Sequence, residues 1–200
     1  METVLFAAIA FALGSLPLSW WLGRAVLHVD IRDYHEDHNP GAGNVWRAGG
    51  WRLGLVAATL DVGKAALAVG LARAAGLSGW ALAPVAVAPL LGHAFSPFLG
   101  FRGGKSVATT FGAWIGLFGP LGGVLLAVCF APFYASQRVD AWTDVLGTLL
   151  FAALLFAFGA APAWVAVALA DAAVLAWTNR HELREPPSLR WRPQLERRHP

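Results

Sequence analysis

The sequence predicts an all-α membrane protein, a polytopic helical bundle with about seven transmembrane helices joined by short loops. Of its 200 residues, 57% are hydrophobic and only 14% are charged, whereas about 25% of the residues of an ordinary soluble protein are charged. A transmembrane helix needs roughly 20 mostly apolar residues, so this chain has room for several spans and little else. The apolar runs are continuous rather than alternating, which argues against a membrane β-barrel.

Seven apolar runs are the candidate spans. In chain order they are residues 4–23, 53–72, 80–98, 106–118, 121–135, 145–159 and 163–178. The fourth and fifth runs are short, and only Gly119 and Pro120 separate them. They form either two half-length or tilted helices or one kinked element, so six and seven spans are both open. Small residues lie four apart in GAWIG (112–116), and this spacing permits close helix packing in lipid.

The basic residues predict how the bundle is oriented. They follow the odd-numbered spans: Arg24, Arg32, Arg47 and Arg52 after the first, Arg102 and Lys105 after the third, Arg138 after the fifth, and six arginines from Arg180 to Arg198 after the seventh. The alternate loops hold essentially only Arg73. Because Lys and Arg concentrate in cytoplasmic loops, we expect the N-terminus outside and the C-terminus in the cytoplasm. METVLF has no basic n-region, so we expect no cleaved signal peptide.

This organisation predicts a single transmembrane domain at 1–182 and a basic, Pro- and Arg-rich cytoplasmic tail at 183–200. The net charge of +3 lies mostly in the cytoplasmic loops and tail, which favours anionic lipid headgroups over nucleic acid as partners. Cys129 is the only cysteine, which excludes an internal disulfide and a cysteine metal site. The sequence predicts no metal and no cofactor.

Charged residues beside or inside the spans are costly in lipid, so they are the first candidates for a functional site. In LDVGK (60–64), Asp61 and Lys64 are three residues apart and lie on one helix face. One interpretation is a local ion pair that cancels two charges inside the second span. The other is that Asp61 orients a lysine or arginine of a pocket.

A second polar group is the segment 29–50, where Pro40 and several glycines allow tight turns that expose backbone N–H groups. Asn44 and Arg47 add side-chain donors. Nests of N–H groups, especially near a helix N-terminus, bind anions. A solvated loop of this composition also occurs without any ligand, so the segment alone does not decide.

The third group, GFRGGKSVATTFG (100–112), contains Gly-Lys-Ser and first suggests a nucleotide P-loop. That motif needs a glycine five residues before Gly104, where this chain has Leu99, and a preceding β-strand. The approach here is LLGHAFSPFL, which includes His93. The P-loop is therefore excluded, while a phosphate-binding role stays open.

The fourth group is TNRHEL (178–183), at the end of the last span. A histidine beside an arginine at a helix end is usually a cap or an anchor at the membrane surface. All four groups fall on the predicted cytoplasmic side, however, where they would surround one anionic headgroup. HVDIRD (28–33) also fits the His-x-x-x-x-Asp pattern of a different acyltransferase class, but with six histidines a chance match is expected.

Together these motifs resemble the bacterial integral-membrane glycerol-3-phosphate acyltransferases that use acyl phosphate as donor. The segments that carry the resemblance are GSLPLSWWLGR (14–24), DIR (30–32), HNPGAGNVWR (38–47), LDVGK (60–64), GHAFSPFLGFRGGKSVATTFG (92–112) and RHE (180–182). The similarity is good over about residues 14–112 and weaker beyond them.

The resemblance implies transfer of a fatty acyl group to the 1-hydroxyl of glycerol 3-phosphate, giving lysophosphatidate and inorganic phosphate. Residues 1–182 would be one transmembrane acyltransferase domain in a bacterial plasma membrane, multi-pass, with its active site facing the cytoplasm. The implied partners are the two substrates, membrane lipids and a soluble enzyme that makes acyl phosphate.

The resemblance also implies roles for single residues. The catalytic positions would be Gly103, Gly104, Lys105 and His181; the substrate-binding positions Asn39, Asn44, Arg47, His93, Arg102 and Ser106; and the supporting positions Asp61 and Lys64. The glycine N–H groups and Lys105 would hold phosphate and the developing oxyanion. Acyl phosphate is already activated, so positioning and charge stabilisation suffice without a protein nucleophile.

Three departures from the family pattern matter. Asp37 stands where the family has serine, after one extra residue; a carboxylate about 4 Å from a phosphate charge costs roughly 4 kcal/mol at an effective dielectric near 20. We therefore expect Asp37 to turn away from the phosphates; the other possibility is that it accepts the proton of the acceptor hydroxyl as a general base. Gly43 replaces a threonine, and the family's serine-containing segment is not recognisable in QRVDAWTDV (137–145). These departures favour the alternative, a non-catalytic or altered-specificity paralogue that binds or transports a phosphorylated lipid or metabolite.

Overall fold

The computed structural model describes residues 1–190, and in this range the chain is helical apart from turns and one isolated β-bridge. The helices are α1 (Glu2–Ser15), α2 (Leu18–Leu22), α3 (Ala42–Ala74), α4 (Gly79–Ala94), α5 (Val107–Phe118), α6 (Pro120–Ser136), α7 (Asp140–Ala157) and α8 (Pro162–Thr178). Helices α1 and α2, with a π-helical turn at Gly23–Leu27, make one rod. The seven helical rods that the apolar runs predict are therefore present.

Four of these rods are long and apolar enough to cross a bilayer: Glu2–Leu27, Ala42–Ala74, Gly79–Leu99 and Asp140–Ala157. The other three, α5, α6 and α8, are apolar but shorter, with 12 to 17 residues. Many large apolar side chains point outward, among them Leu121, Val128 and Phe156. An apolar exterior of this kind is what lipid requires.

The fourth and fifth apolar runs form two separate helices rather than one kinked element. Gly119 ends α5 with φ 67° and ψ −164°, a conformation that glycine adopts far more readily than other residues. Pro120 then starts α6 at a position where a missing N–H costs nothing. The two helices pack against each other, and a Cβ at Gly122 would overlap the carbonyl oxygen of Trp114.

Helix α3 begins earlier than the apolar run indicates, at residue 42 rather than 53. The sequence there reads as a loop because of its glycines, but the structure absorbs Gly49 into the helix and bends the rod at Gly50, which has φ 79° and ψ 175°. The extra turns bring the first part of α3 to the same end of the bundle as the close of α4 and the start of α5.

Small residues let the central helices approach closely. A Cβ on Gly112 would overlap the carbonyl oxygen of Val62, and one on Gly116 would lie 2.9 Å from the carbonyl oxygen of Ala66. Helix α5 therefore lies directly on the backbone of α3, as the GAWIG spacing predicts. Between α5 and its neighbours Trp114 is fully buried, and its indole N–H donates to a carboxylate oxygen of Asp171 at 2.9 Å.

The first residues of the predicted tail contact the end of the bundle. Arg138 N donates to the carbonyl oxygen of Ser188 at 2.8 Å, and Arg190 N donates to that of Ser136 at 2.7 Å. Trp142 Nε1 donates to the carbonyl oxygen of Glu185 at 2.9 Å. Residues 185–190 are thus tied to the α6–α7 connection, while residues 191–200 of the predicted tail lie outside the described range.

Candidate active site

A cavity of about 740 Å³ opens at the end of the bundle where α4 and α8 finish and α3 and α5 begin. Four separate pieces of sequence line it: the loop before α3, the loop 101–105, the α6–α7 connection and the segment 177–185. The predicted site residues that reach it are Asn39, Arg47, Arg102, Gly103, Gly104, Lys105 and His181. A cavity this size, lined by several cations, suits a small phosphorylated molecule.

The loop that carries Lys105 folds back on the end of α4. Gly103 N donates to the carbonyl oxygen of Ala94 and Gly104 N to that of His93, each at 3.0 Å. A Cβ on Gly103 would overlap the His93 carbonyl oxygen, and a Cβ on Gly104 would overlap the His93 ring. Glycine is therefore needed at both positions because the loop runs against backbone and imidazole.

These hydrogen bonds correct one expectation about the glycines. Both N–H groups were expected to hold phosphate, but both are already used inside the protein. The glycines line the cavity and place Lys105 over it, so their contribution is the shape of the loop. The donors left for an anion are side chains, chiefly those of Lys105, Arg47 and Arg102.

Lys105 sits between two carboxylates. Its Nζ lies 2.8 Å from Oδ2 of Asp37 and 2.5 Å from Oε1 of Glu182. Burial lowers the pKa of Lys105, but the hydrogen bonds from Asp37 and Glu182 outweigh it and raise that pKa above its usual value. The lysine is thus a fixed positive charge at working pH.

The position of Asp37 contradicts the expected outward orientation. Its Oδ1 does lie 3.1 Å from Nδ1 of His35, but its Oδ2 points into the cavity at Lys105. Burial raises the pKa of the Asp37 carboxyl, yet the hydrogen bond and charge of Lys105 outweigh it and hold that pKa well below its usual range. Attraction to Lys105 decides this orientation of Asp37.

Asp37 also organises the loop before α3. Its Oδ1 accepts hydrogen bonds from Asn39 N at 3.1 Å and from Asn44 Nδ2 at 3.3 Å. Asn44 is fully buried, and its own oxygen accepts from an Arg47 guanidinium nitrogen at 2.8 Å. Asn44 therefore does not face the cavity; it fixes Arg47, which does.

Behind the Lys105 loop lies a buried polar network. Lys64 Nζ is 2.8 Å from Oδ1 of Asp61 and 2.9 Å from Nδ1 of His93, and Ser19 donates to the other Asp61 oxygen at 2.5 Å. An ammonium only donates, so Nδ1 of His93 accepts and its Nε2 carries the proton toward Gly104. The ion pair between Asp61 and Lys64 is therefore present inside the helix, as the first interpretation predicts. Lys64 also contacts His93, and the pair contacts no lysine or arginine of the cavity within the described residues.

Two more predicted residues lie around the loop. Ser106 is buried, adopts φ 67°, and donates through Oγ to the carbonyl oxygen of Leu90 at 2.9 Å. Neither Ser106 nor His93 lines the cavity of about 740 Å³. On the α8 side, Thr178 Oγ1 donates to the Lys105 carbonyl oxygen at 3.0 Å, which ties the lysine to the helix that delivers His181.

Sequence reasoning missed some of the cavity wall. Arg138, Val139 and Asp140 stand where the expected serine-containing segment is absent, and Glu182 and Glu185 stand beside His181. Local pattern gives no sign that residues 35–39, 105 and 182 converge. The motif RHE contains Glu182, but only the fold shows that its carboxylate contacts Lys105.

Known proteins share both the sequence and the fold. A sequence model of the glycerol-3-phosphate acyltransferase family matches residues 4–185. A glycerol-3-phosphate acyltransferase of Thermus thermophilus is 40% identical over 177 residues, which cover 88% of this chain and 87% of that protein. That of Parasynechococcus marenigrum is 36% identical over 186 residues, covering 92% and 85%.

Among solved structures, the integral membrane glycerol 3-phosphate acyltransferase PlsY in its glycerol 3-phosphate form matches with a TM-score of 0.80 and 25% identity, over 92% of this chain and 91% of that one. The lysophosphatidic acid form of PlsY, at 24% identity and a TM-score of 0.78, shares the fold. A family match over nearly the whole chain, with the same fold beneath it, shows that this chain belongs to the glycerol-3-phosphate acyltransferase family.

Proposed function

We propose that the protein transfers a fatty acyl group from acyl phosphate to the 1-hydroxyl of glycerol 3-phosphate, releasing lysophosphatidate and inorganic phosphate. The observation that carries this function is the convergence of Lys105, Arg47, Arg102 and His181 on one cavity. Both substrates carry phosphate, and the cavity brings Arg47 together with Arg102 and Lys105 from a distant part of the chain.

In this mechanism the side chains bind and orient, and the substrates react with each other. The 1-hydroxyl oxygen attacks the acyl carbon, the bond between that carbon and the phosphate oxygen breaks, and the phosphate leaves with the electron pair. Lys105 stabilises the negative charge that develops during the transfer, while Arg47 and Arg102 hold the glycerol phosphate. Placing the two substrates together supplies most of the acceleration, because the donor is already activated.

Two histidines line the described cavity, His35 and His181, and His181 is the one that matches the Arg-His motif of the family. His181 lines the same space as Lys105, and a neutral imidazole has one ring nitrogen that can accept a proton. Thr178 brings a hydroxyl to the cavity wall, but that hydroxyl donates to the Lys105 carbonyl oxygen. We therefore assign His181 to proton transfer and assign no residue to a covalent intermediate.

The bundle is proposed to lie in a bacterial plasma membrane with seven crossings, the N-terminus outside, and the cavity and C-terminus in the cytoplasm. The positive-inside rule supports this orientation, since Arg47, Arg102, Lys105 and Arg138 all line the cavity end. Residues 1–182 then form one acyltransferase domain, and the segment from 183 belongs to its cytoplasmic face. A soluble enzyme that makes acyl phosphate would supply the donor from this side.

One observation favours a second function, a membrane paralogue that binds or transports a phosphorylated molecule without acyl transfer. Asp37 and Glu182 both contact Lys105, so two carboxylates compete with phosphate for this cation.

Turnover of purified protein in detergent separates the two functions. With palmitoyl phosphate and glycerol 3-phosphate, we expect equal amounts of phosphate and lysophosphatidate to form. Lys105→Met should abolish both products, whereas Arg73→Met, which removes an exposed charge from the last turn of α3, should not. Binding of glycerol 3-phosphate without lysophosphatidate formation would support the paralogue instead.

A further inference from the structure

We propose that Glu182 is a built-in competitor for the substrate's phosphate at Lys105, and that Asp37 is a fixed positioning residue for the same lysine. The inference deepens the proposed function, on which it rests, by assigning opposite roles to two carboxylates that contact one ammonium. Asp37 lies 2.8 Å and Glu182 lies 2.5 Å from Lys105 Nζ. The two differ in how firmly the rest of the protein holds them.

Asp37 is held on all sides. Only 9% of its side chain is exposed, and Oδ1 accepts hydrogen bonds from Asn39 N and Asn44 Nδ2 while Oδ2 faces the lysine. Releasing Asp37 from Lys105 would leave a nearly buried carboxylate with part of its bonding lost, which is unfavourable. Asp37 therefore stays in place when substrate arrives.

Through the same bonds, Asp37 links two of the cations that face the cavity, Lys105 and Arg47. It contacts Lys105 directly, and through Asn44 it reaches Arg47, because Asn44 donates to Asp37 and accepts from Arg47. This series of hydrogen bonds sets the distance between the Lys105 ammonium and the Arg47 guanidinium before any phosphate binds. Asp37 acts through these residues rather than on the substrate.

Glu182 is held much less firmly. Its side chain is 32% exposed, and within residues 1–190 its carboxylate has one ion-pair partner, Lys105. It projects from a short 3₁₀ turn, Glu182–Arg184, that follows α8. A partly exposed carboxylate with a single partner can rotate into water at little cost.

A phosphate group can take the place that Glu182 leaves. An ammonium has three N–H donors, so with Asp37 keeping one, two remain once Glu182 moves away. A phosphate monoester carries more negative charge than a carboxylate and offers three acceptor oxygens, so it displaces Glu182 where a neutral polyol or a monoanion would not. Glu182 thereby makes the site selective for doubly charged phosphates.

Two matched variants test the proposal. Glu182→Gln removes the competing charge, so KM and the calorimetric Kd for glycerol 3-phosphate should fall by roughly two- to fivefold, the weight of one exposed ion pair, with KM changing more than kcat. Glu185→Gln removes the same charge from the same cavity wall without a contact to Lys105 and should move the Kd much less. Equal shifts in both variants would overturn the proposal, since the effect would then be general electrostatics.

Asp37→Ala should affect turnover rather than substrate binding. Its kcat should fall by about tenfold or more, because misplaced cations slow catalysis. Asp37→Asn, which keeps the shape, should recover part of that loss. A lower KM with unchanged kcat in Asp37→Ala would make Asp37 a second competitor and refute its positioning role; melting curves in detergent identify a variant that has merely unfolded.

The binding measurements keep the inference separate from the proposed function. Suppose that the unmodified protein forms no lysophosphatidate while Glu182→Gln still tightens glycerol 3-phosphate binding. The proposed acyl transfer is then refuted, and the role of Glu182 as a competitor is supported. If turnover is normal and Glu182→Gln leaves glycerol 3-phosphate binding unchanged or weaker, the role of Glu182 as a competitor is refuted and the proposed acyl transfer is supported. Absence of any heat with glycerol 3-phosphate in either protein also overturns the competitor.

Discussion

The backbone of Gly103 lies directly against the carbonyl oxygen of His93, so closely that a side chain at position 103 would overlap it. This contact is where the cavity loop meets the end of α4, and Gly104 N donates to the same oxygen. The loop therefore has one path along α4, and that path determines where Lys105 stands.

Gly103→Ala should remove activity through the shape of the loop. The added methyl must displace either the loop or the end of α4, because the obstructing atom is backbone. We expect a destabilisation of about 1–3 kcal/mol from overpacking and a loss of turnover of about a hundredfold from misplacing Lys105. Gly63→Ala is the control, since a Cβ there meets nothing within 4 Å; similar turnover and melting temperature in both variants would contradict this expectation.

The Asp37–Lys105 pair should make stability depend on pH in a defined direction. The pKa of Asp37 is lowered in the folded protein, so its contribution is present above the unfolded value of about 3.9 and is lost as the pH falls through the lower folded value. The melting temperature of the unmodified protein should exceed that of Asp37→Asn at pH 7, and the gap should narrow below about pH 4. A gap that stays constant from about pH 7 to about pH 3 would contradict the ion pair.

The buried pair under the loop should be costly to break from one side. The side chains of Lys64 and Asp61 are 3% and 1% exposed, so Lys64→Met leaves an uncompensated buried carboxylate and should destabilise the protein by about 3–5 kcal/mol. Adding Asp61→Asn should restore much of that loss. Unfolding in detergent measures both; additive losses in the double variant would mean that the two side chains do not interact.

The orientation of the bundle can be read with reporters. A reporter fused after Pro200 should be cytoplasmic, and one inserted near Gly76, in the exposed turn between α3 and α4, should be external. The asymmetry of Lys and Arg is the reason for this expectation. The reverse pattern would put the cavity on the side where no cytoplasmic acyl phosphate reaches it.

The helices were predictable because lipid imposes long continuous apolar runs, and each run became a helical rod. The start of α3 was not predictable from the sequence. Gly49 and Gly50 together indicate a turn, whereas the structure bends at Gly50 alone. Glycine loosens local preference, and the packing of the rest of the chain then decides between loop and helix.

The motifs predict several residues that line the cavity, but they do not predict how those residues contact one another. Nothing near Asp37 in sequence shows that Lys105 will attract it inward, because the two are brought together by α3, α4 and α5. Glu182 was likewise invisible as a contact of Lys105. The motif also suggested free glycine N–H groups, whereas the close approach that requires glycine is the same approach that occupies those groups.

Helix α5 has 12 residues, a length of about 18 Å at 1.5 Å per residue, against a hydrocarbon thickness of about 30 Å. In the proposed arrangement with seven crossings, the segments at its two ends make up the remaining depth of roughly 12 Å. The 101–104 loop can lie that deep, because its N–H groups donate to the carbonyl oxygens of Ser96, Leu99, Ala94 and His93. A water-soluble acceptor and a lipid-dissolved donor can then meet inside the protein, where the water-filled cavity borders the hydrocarbon of the membrane. Neither substrate has to enter the solvent of the other.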